Sequence, residues 1–409
     1  MTGPLSGVRI TDFTWVVAGP FCTKTLADMG AESIKIEARI RPDGMRNYVN
    51  RYNDLDKPFP YGTFDNFNRS KMGVSVNARD PQGLALIKDL IAVSDVVVEN
   101  FRGGVLQSWG LTYEEMRKAR PDIIYISLSG YGQTGPYATY ASHYHIAQAM
   151  PGFTQLTGTG DDGDTPVVTG AYGDTTSGLH AAAAILMALE YRNKTGLGQY
   201  IDASQLTSMA HVMGAAYLEY SANGNEPQAN GNRLAHPAAS VEGVFQCQGE
   251  ERWVALGVYT EEEWRALCDA IDRPELLEDP RFALVSSRVE NWAELEAEVQ
   301  KWTQERTAED AMDALQAAGI GASVVENIQD LMDKDEQMAH RNHYVDAWHP
   351  DREVGTLRIE GIVPKFSAGN GEVRRAAPMI GEHNEYVFSE VLGLDSARMD
   401  ELQEAGIFF

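Results

Sequence analysis

The sequence predicts an α/β protein, a doubly wound and largely parallel sheet with helices on both faces, joined to a smaller α+β domain. Three observations predict it. Strand-like and helix-like stretches alternate from Gly7 to Leu128, the signature of βαβ units. A run dense in turn formers, Ser221-Ala-Asn-Gly-Asn-Glu-Pro-Gln-Ala-Asn-Gly-Asn232, then separates this pattern from a different one. The length of 409 residues exceeds one ordinary core.

Taken in order, Gly7–Phe13 is apolar enough for a buried strand, Pro20–Gly30 is helical with Gly30 as its stop, and Glu32–Glu37 is a second strand. Pro81–Val93 carries Leu84, Ile87 and Ile91 at helical spacing and leads into a strand over Asp95–Asn100. Tyr113–Ala119 is helical and Ile123–Leu128 is a strand. Leu179–Leu189, alanine-rich and closed by Glu190, Tyr191 and Arg192, is a strong helix former. Its apolar residues lie on nearly every side, so it is expected to be packed on two faces. Beyond the turn-rich run, Trp253–Val258 is a strand. Two helices follow, one with Trp264, Leu267, Cys268 and Ile271 on a face, the next with Trp292, Leu295, Val299 and Trp302. Ala308–Ala317 is a further helix, ended by Gly319. From about Asn327 strand signals are few, and an amphipathic helix is expected near Glu385–Val391. The expected divisions are therefore residues 1–220, 221–326 and 327–409.

Composition narrows the function. The net charge of −25 argues against nucleic acid as a partner, because phosphate neutralisation needs a basic surface. The bases are mostly Arg. Such a surface suits either a salt-rich cytoplasm, where repulsion is screened, or an ordinary acidic enzyme. No apolar run reaches membrane-spanning length, and the N-terminus lacks a basic segment followed by an apolar stretch. Cys22, Cys247 and Cys268 form neither a metal pair nor an even disulfide framework. A cytoplasmic setting is expected.

Asp174 stands between a glycine and two threonines before the long helix, with Gly178 close behind. An acid there is an ordinary helix N-cap. It is also a carboxylate where the helix dipole favours negative charge and where the glycines suit close approach by backbone or ligand. Gly130-Tyr-Gly-Gln-Thr-Gly135 matches GxGxxG after a strand, but Pro136-Tyr137 follows and no helix opens, so a dinucleotide site is not expected. His143 and His145 are two apart and would not share a helix face. No zinc, P-loop or GxSxG pattern is present, and no metal or prosthetic group is expected. In an acidic chain the bases near the carboxyl ends of the early strands stand out: Arg39, Arg41, Arg69, Lys71 and Arg102. Doubly wound folds bind ligands there, and such bases could hold an anionic ligand or be scattered solvated arginines.

Several stretches together resemble the class III CoA-transferase family, which includes formyl-CoA transferase, carnitine CoA-transferase and the α-methylacyl-CoA racemases. They are Pro4-Leu-Ser-Gly-Val-Arg-Ile-Thr-Asp-Phe13, Ala18-Gly-Pro20, Leu26-Ala-Asp-Met-Gly-Ala31, Asn68-Arg-Ser-Lys71, Val98-Glu-Asn-Phe-Arg102, Ser129-Gly-Tyr-Gly-Gln-Thr-Gly-Pro-Tyr137, Lys194-Thr-Gly-Leu-Gly-Gln199, Gly231-Asn-Arg233 with His236-Pro237, Asp279-Pro-Arg-Phe282 and Ala377-Pro-Met-Ile-Gly-Glu-His383. They run in family order over nearly the whole chain.

The resemblance implies a Rossmann-like large domain built from both chain ends, a small inserted domain, and a homodimer of interlocked chains. It implies a chemistry in which Asp174 is the nucleophile and acyl-CoA and a carboxylic acid are the substrates. Coenzyme A contacts are implied at Val16, Val17 and Ala18, at Val76, Asn77, Ala78 and Arg79, at Asn100, Phe101 and Arg102, and at Ala141, Ser142, His143 and Tyr144. Arg233 and His236 are candidates for an acceptor's distal carboxylate, since Arg grips one bidentately; equally, Arg233 could pair with an acid of its own chain. The racemase alternative would use His143 and Asp174 as an acid/base pair, but the racemase pattern continues with Asp-Ile-Asn where this chain has Tyr144-His145-Ile146. A run of glycines typical of the formyl-CoA enzymes is not found, which counts against oxalate and formate. The acidic composition within this family suggests a succinyl-CoA:mesaconate-type dicarboxylate transferase.

Overall fold

The computed structural model describes residues 3–47, 62–158, 171–233, 240–351 and 354–408. The chain divides into two compact units. The first comprises Met1–Thr154, Val167–Glu226 and Gln337–Phe409, so both chain ends belong to it; the second comprises Gln155–Pro166 and Pro227–Glu336.

In chain order the elements begin with β1 (Arg9–Asp12), α1 (Ala18–Asp28), β2 (Glu32–Glu37), α2 (Gly62–Phe67), β3 (Met72–Ser75), α3 (Pro81–Ala92) and β4 (Val96–Glu99). Next come α4 (Val105–Ser108), α5 (Tyr113–Ala119), β5 (Ile124–Ser129), α6 (Tyr144–Ala149), α7 (Phe153–Leu156), α8 (Tyr172–Thr195), β6 (Tyr200–Ser204), α9 (Gln205–Val212) and α10 (Gly214–Asn223). The six strands form one parallel sheet in the order β3-β2-β1-β4-β5-β6. The order reverses between β1 and β4, and in doubly wound sheets ligands bind at the strands' carboxyl ends at that point.

Period-two alternation along the strands builds two cores. Val97 and Tyr125 face one layer, where Leu86, Ile87 and Leu90 of α3 pack. Val96, Val98, Ile124 and Ile126 face the other, against Cys22 and Leu26 of α1 and Ala181, Ile185 and Ala188 of α8. The C-terminal segment closes the first layer. Val387, Phe388, Leu402, Ile407 and Phe408 are buried with it, and Asn77 N–H donates to the Ile407 carbonyl at 2.9 Å.

The second unit contains a three-stranded antiparallel sheet of β7 (Val241–Gln246), β8 (Trp253–Val258) and β9 (Gly321–Val324), in that order. Its helices are α11 (Glu261–Ala270), α12 (Val285–Glu290), α13 (Trp292–Thr303), α14 (Ala308–Ala317) and α15 (Ile328–Asp333). Trp264, Leu267, Cys268, Leu295, Val299, Trp302 and Leu315 fill its core with the strands' inward residues, the faces that the helical spacing predicts except for Trp292, which is half-buried outside that core. The chain then continues through α16 (Glu336–His340), the hairpin strands β10 (Tyr344–Trp348) and β11 (Thr356–Glu360), and α17 (Ser396–Glu404).

Four expectations are corrected. The helix expected to be packed on two faces, α8, buries one face only; Leu179, Leu186, Met187 and Tyr191 are exposed on the chain. The turn-rich run starts inside a helix, since α10 extends to Asn223 before Gly224 ends it in the left-handed conformation. The C-terminal segment holds the β10–β11 hairpin and α17, which the weak strand signal and the polar face of α17 concealed. The segment expected as an amphipathic α-helix, Tyr386–Val391, is a π-helical turn.

Candidate active site

The site lies where the β1–α1 turn, the exit of β4 and the start of α8 meet. Asn100, just past β4, clasps that turn: its Oδ1 accepts from Trp15 N–H at 2.7 Å and its Nδ2 donates to the Trp15 carbonyl at 2.8 Å. A Cβ on Gly19 would lie 2.6 Å from Thr14 and 2.8 Å from the Asn100 side chain, so only glycine lets helix and clasp approach. The turn carries strain, because Val16 has φ 68°, a conformation costly for a β-branched residue.

A buried ionic cluster holds this strained turn from below. Asp43 accepts from Val16 N–H at 3.1 Å and from the Lys35 ammonium at 2.9 Å. Lys35 also donates to the Thr14 carbonyl at 2.6 Å, and Asp12 accepts from Thr14 N–H at 2.8 Å. Burial pulls the Lys35 ammonium down, but Asp43, Glu37 and Asp12 outweigh it and hold its pKa above the ordinary value. Lys71 belongs to the same cluster. It is fully buried, 3.1 Å from Asp12 and 2.9 Å from Asn68 Oδ1, and burial lowers its pKa to about 8 against the pull of Asp12. Arg69 is likewise engaged inside, with Asp28. These two bases therefore brace the fold instead of facing solvent at the strand ends.

The residues that do face outward form an aromatic and cationic surface. Trp15 and Phe101 meet edge-on at 5.6 Å, and the Arg41 guanidinium lies 5.5 Å over the Trp15 ring. Arg39, Arg79 and Arg102 are exposed, Asn77 and Ala78 are half-buried, and Val76 is buried. Beneath Phe101, Glu99 accepts from the Phe101 N–H at 2.6 Å; burial raises its pKa to about 7. α1 starts without a side-chain cap, leaving first-turn amides at the same edge.

Asp174 is the third residue of α8 and sits in its first turn; the cap position belongs to Ala171, which adopts φ 53°. The N-cap role is therefore not the one Asp174 plays. One turn on, on the same face, Gly178 packs against α1 so tightly that a Cβ would meet the Ala18 carbonyl at 2.7 Å. Ala171 packs with Val17 in a small apolar cluster. Both contacts bring the carboxylate's helical turn beside Val16, Val17 and Ala18. Asp174 is only 7 % exposed. Its Oδ1 accepts from Gln205 Nε2 at 2.6 Å, and this is the hydrogen bond made to its carboxyl group among the described residues. Burial raises its pKa to about 6, with the Gln205 hydrogen bond pulling the other way.

Two glutamines complete the surroundings. Gln205 opens α9 and is buried; Gln148 of α6 is fully buried and accepts from Gly173 N–H at 2.9 Å. Neither is visible in the sequence, because each reaches Asp174 or its neighbour from a distant segment and belongs to no motif. Ser142 approaches Gly130 closely: a Cβ there would lie 2.4 Å from the Ser142 Cβ. Ala141, His143 and Tyr144 are exposed, with His143 at the N-cap position of α6. Arg233 lies in the second unit, 3.5 Å from Glu296 and over the Trp292 ring, so it does pair with an acid of its own chain. His236 lies outside the described residues.

Known proteins resemble this chain over nearly its whole length. Residues 5–384 match the model of CoA-transferase family III, and the chain belongs to that family. It is 33 % identical over 401 residues to the succinyl-CoA–D-citramalate CoA-transferase of Chloroflexus aurantiacus, covering 98 % of this chain and 97 % of that one. It is 31 % identical over 400 residues to the succinyl-CoA:mesaconate CoA-transferase of Haloarcula marismortui, covering 96 % and 98 %. Among solved structures, a CAIB/BAIF family protein from Brucella suis superposes with a TM-score of 0.85 at 30 % identity, over 96 % of this chain and all of that one. The chain is thus an enzyme with CoA-transferase activity, and CoA esters are its substrates. Among the described residues, no helix is long and apolar enough to cross a membrane.

Proposed function

We propose that this enzyme moves coenzyme A from succinyl-CoA to a dicarboxylic acid of the mesaconate or citramalate kind, with Asp174 as covalent nucleophile. The observation that carries the reading is the Asp174 carboxylate itself: buried, held by one oxygen, raised to about pKa 6, and set beside the β1–α1 turn. A partly desolvated carboxylate is a better nucleophile than a hydrated one, and at neutral pH it is still ionised. It attacks the thioester carbonyl, giving an acyl–aspartyl anhydride and CoA thiolate. The thiolate attacks the aspartyl carbonyl, giving an enzyme thioester and a free acid. An acceptor acid reverses both steps and leaves as its CoA ester.

The outward residues Arg39, Arg41, Arg79 and Arg102 suit the phosphates of coenzyme A, and the Trp15–Phe101 pair suits its ring system. The choice of succinyl-CoA and a dicarboxylate is supported by the two relatives' substrates. The free, buried cysteines suit a cytoplasmic setting, and the charge of −25 suits a salt-rich one.

The test is one mass-spectrometric assay in D2O. Succinyl-CoA is mixed with mesaconate, malate, citramalate, oxalate and carnitine, and 2-methylacyl-CoA is run separately. New CoA esters name the acceptor. Deuterium at the α-carbon of the methylacyl-CoA, without a new thioester, contradicts the transfer reading and makes a proton-transfer enzyme of the chain.

The raised pKa gives a pH prediction. Asp174 must be ionised to attack, so kcat/KM should fall about tenfold per pH unit below about 6. Glu99 titrates nearby, at about 7; Glu99→Gln should remove any inflection there and leave the one at about 6 in place. A rate that stays flat down to pH 5 contradicts the assignment.

We also propose that the chain works as a homodimer. Leu179, Leu186, Met187 and Tyr191 form an exposed stripe on α8, and Tyr217, Leu218 and Tyr220 are exposed on α10. Apolar area of this kind marks an interaction surface. Met187→Glu combined with Leu186→Glu should shift the mass in sedimentation velocity toward the monomer, whereas an unchanged mass with a wild-type melting curve contradicts this assignment.

A further inference from the structure

We propose that the Gln205 side-chain amide is the oxyanion donor for the two steps that occur at the Asp174 carbonyl carbon. This rests on Asp174 being the nucleophile. The Nε2–Oδ1 contact of 2.6 Å joins two buried side chains. The amide's orientation is fixed by chemistry, since the reverse rotamer would set its oxygen against a carboxylate oxygen. Its backbone is fixed as well: Leu206 N–H donates to the Gly130 carbonyl at 3.0 Å, and the Ser204 hydroxyl to the same carbonyl at 3.3 Å.

The consequence follows from which oxygen is held. Gln205 occupies Oδ1, so Oδ2 attacks the thioester and becomes the bridging oxygen of the anhydride. CoA thiolate then attacks Cγ. A sulfur lone pair forms the S–Cγ bond and the Cγ–Oδ1 π pair moves onto Oδ1. That oxygen is the one already within hydrogen-bond reach of Gln205. The pair returns, the Cγ–Oδ2 bond breaks, and the acid leaves as a carboxylate carrying Oδ2. When the acceptor carboxylate attacks the enzyme thioester, negative charge again develops on Oδ1. A donor placed before the charge appears needs no reorganisation. The other two intermediates place their charge on the substrate's acyl oxygen, which Gln205 does not touch in this arrangement. The assignment is therefore step-specific.

The test uses the full enzyme, with Gln205→Leu and the more isosteric Gln205→Met, and succinyl-CoA alone. Quenched samples are digested and the Asp174 peptide is weighed. Wild type should carry CoA on Asp174. In the variants the CoA adduct should form about 10²–10³ times more slowly, a succinyl adduct should accumulate, and KM should change little. A CoA adduct formed at the wild-type rate overturns the proposal. So does the absence of both adducts in a variant that still melts normally and binds the CoA ester, because Gln205 would then act before the thioester step. A wild type with no CoA on Asp174 overturns the nucleophile assignment instead.

Oxygen labelling of wild type supplies a readout independent of variants. One turnover with ¹⁸O-labelled acceptor acid leaves one ¹⁸O on Asp174, at Oδ2. If Gln205 keeps Oδ1 in place, the next single turnover with unlabelled donor should release all of that label in the free acid. Retention of half of it on the peptide means that the carboxylate rotates freely and contradicts the tether.

Discussion

Asp174→Asn should abolish transfer and leave a more stable protein. The loss of activity is expected to reach about four orders of magnitude or more, because the proposed mechanism builds its covalent intermediate on this carboxylate. The gain in stability follows from the raised pKa. The native carboxyl keeps its proton up to about pH 6, whereas the unfolded chain releases it near 3.8. Above about 6 the folded state therefore carries a charge that burial disfavours, at a cost on the order of 2–3 kcal/mol. Asparagine removes the charge and still offers an oxygen to Gln205. At pH 8 the variant should melt several degrees above wild type. The difference should shrink as pH falls from about 6 and vanish below 3.8, where aspartate is neutral in both states. A variant less stable than wild type at pH 8 contradicts this account of the carboxylate's surroundings.

Asp43→Ala should have the second largest effect, and it acts at a distance from the chemistry. Asp43 is fully buried and serves the Lys35 ammonium and the N–H groups of Val16 and Met45. Removing one partner of a buried ion pair leaves the other uncompensated and costs about 3–5 kcal/mol. It also removes the acceptor under Val16, whose left-handed backbone needs that support. Urea denaturation should show the stability loss, and KM for the CoA ester should rise at least tenfold in whatever fraction folds. Asp43→Asn, which keeps an acceptor oxygen, should lose less of both. A neutral Asp43→Ala contradicts the view that the ionic cluster shapes the turn.

What was legible in the sequence was what local pattern encodes. β2 runs over Glu32–Glu37 and α5 over Tyr113–Ala119, as their patterns predict, because alternation or helical spacing and flanking turn residues agree there. Asp174 could be picked out as unusual from its glycines, but its place in the first turn could not, since the left-handed Ala171 that opens α8 carries no sequence signal. The bases were legible only by position. Arg41 does face outward, beside Trp15, whereas Lys71 turns inward to Asp12, a pairing between the end of β1 and the residue just before β3 that reaches across the intervening β2. Gln205 was beyond reach for the same reason: its hydrogen bond spans 31 residues, and an isolated glutamine at the end of a strand has no pattern to betray it. The exposed stripe on α8 shows the opposite limit, because an all-round apolar helix declares that both faces want cover without saying what covers the second.

The most direct test of the central claim is the mass of the Asp174 peptide after wild-type enzyme is mixed with succinyl-CoA, with no acceptor present, and quenched in acid. The account predicts coenzyme A attached to Asp174 through a thioester, removed on adding mesaconate or another accepted acid with release of a new CoA ester. A peptide that stays unmodified while transfer proceeds at full rate would contradict it, since CoA would then pass between substrates without ever resting on the protein.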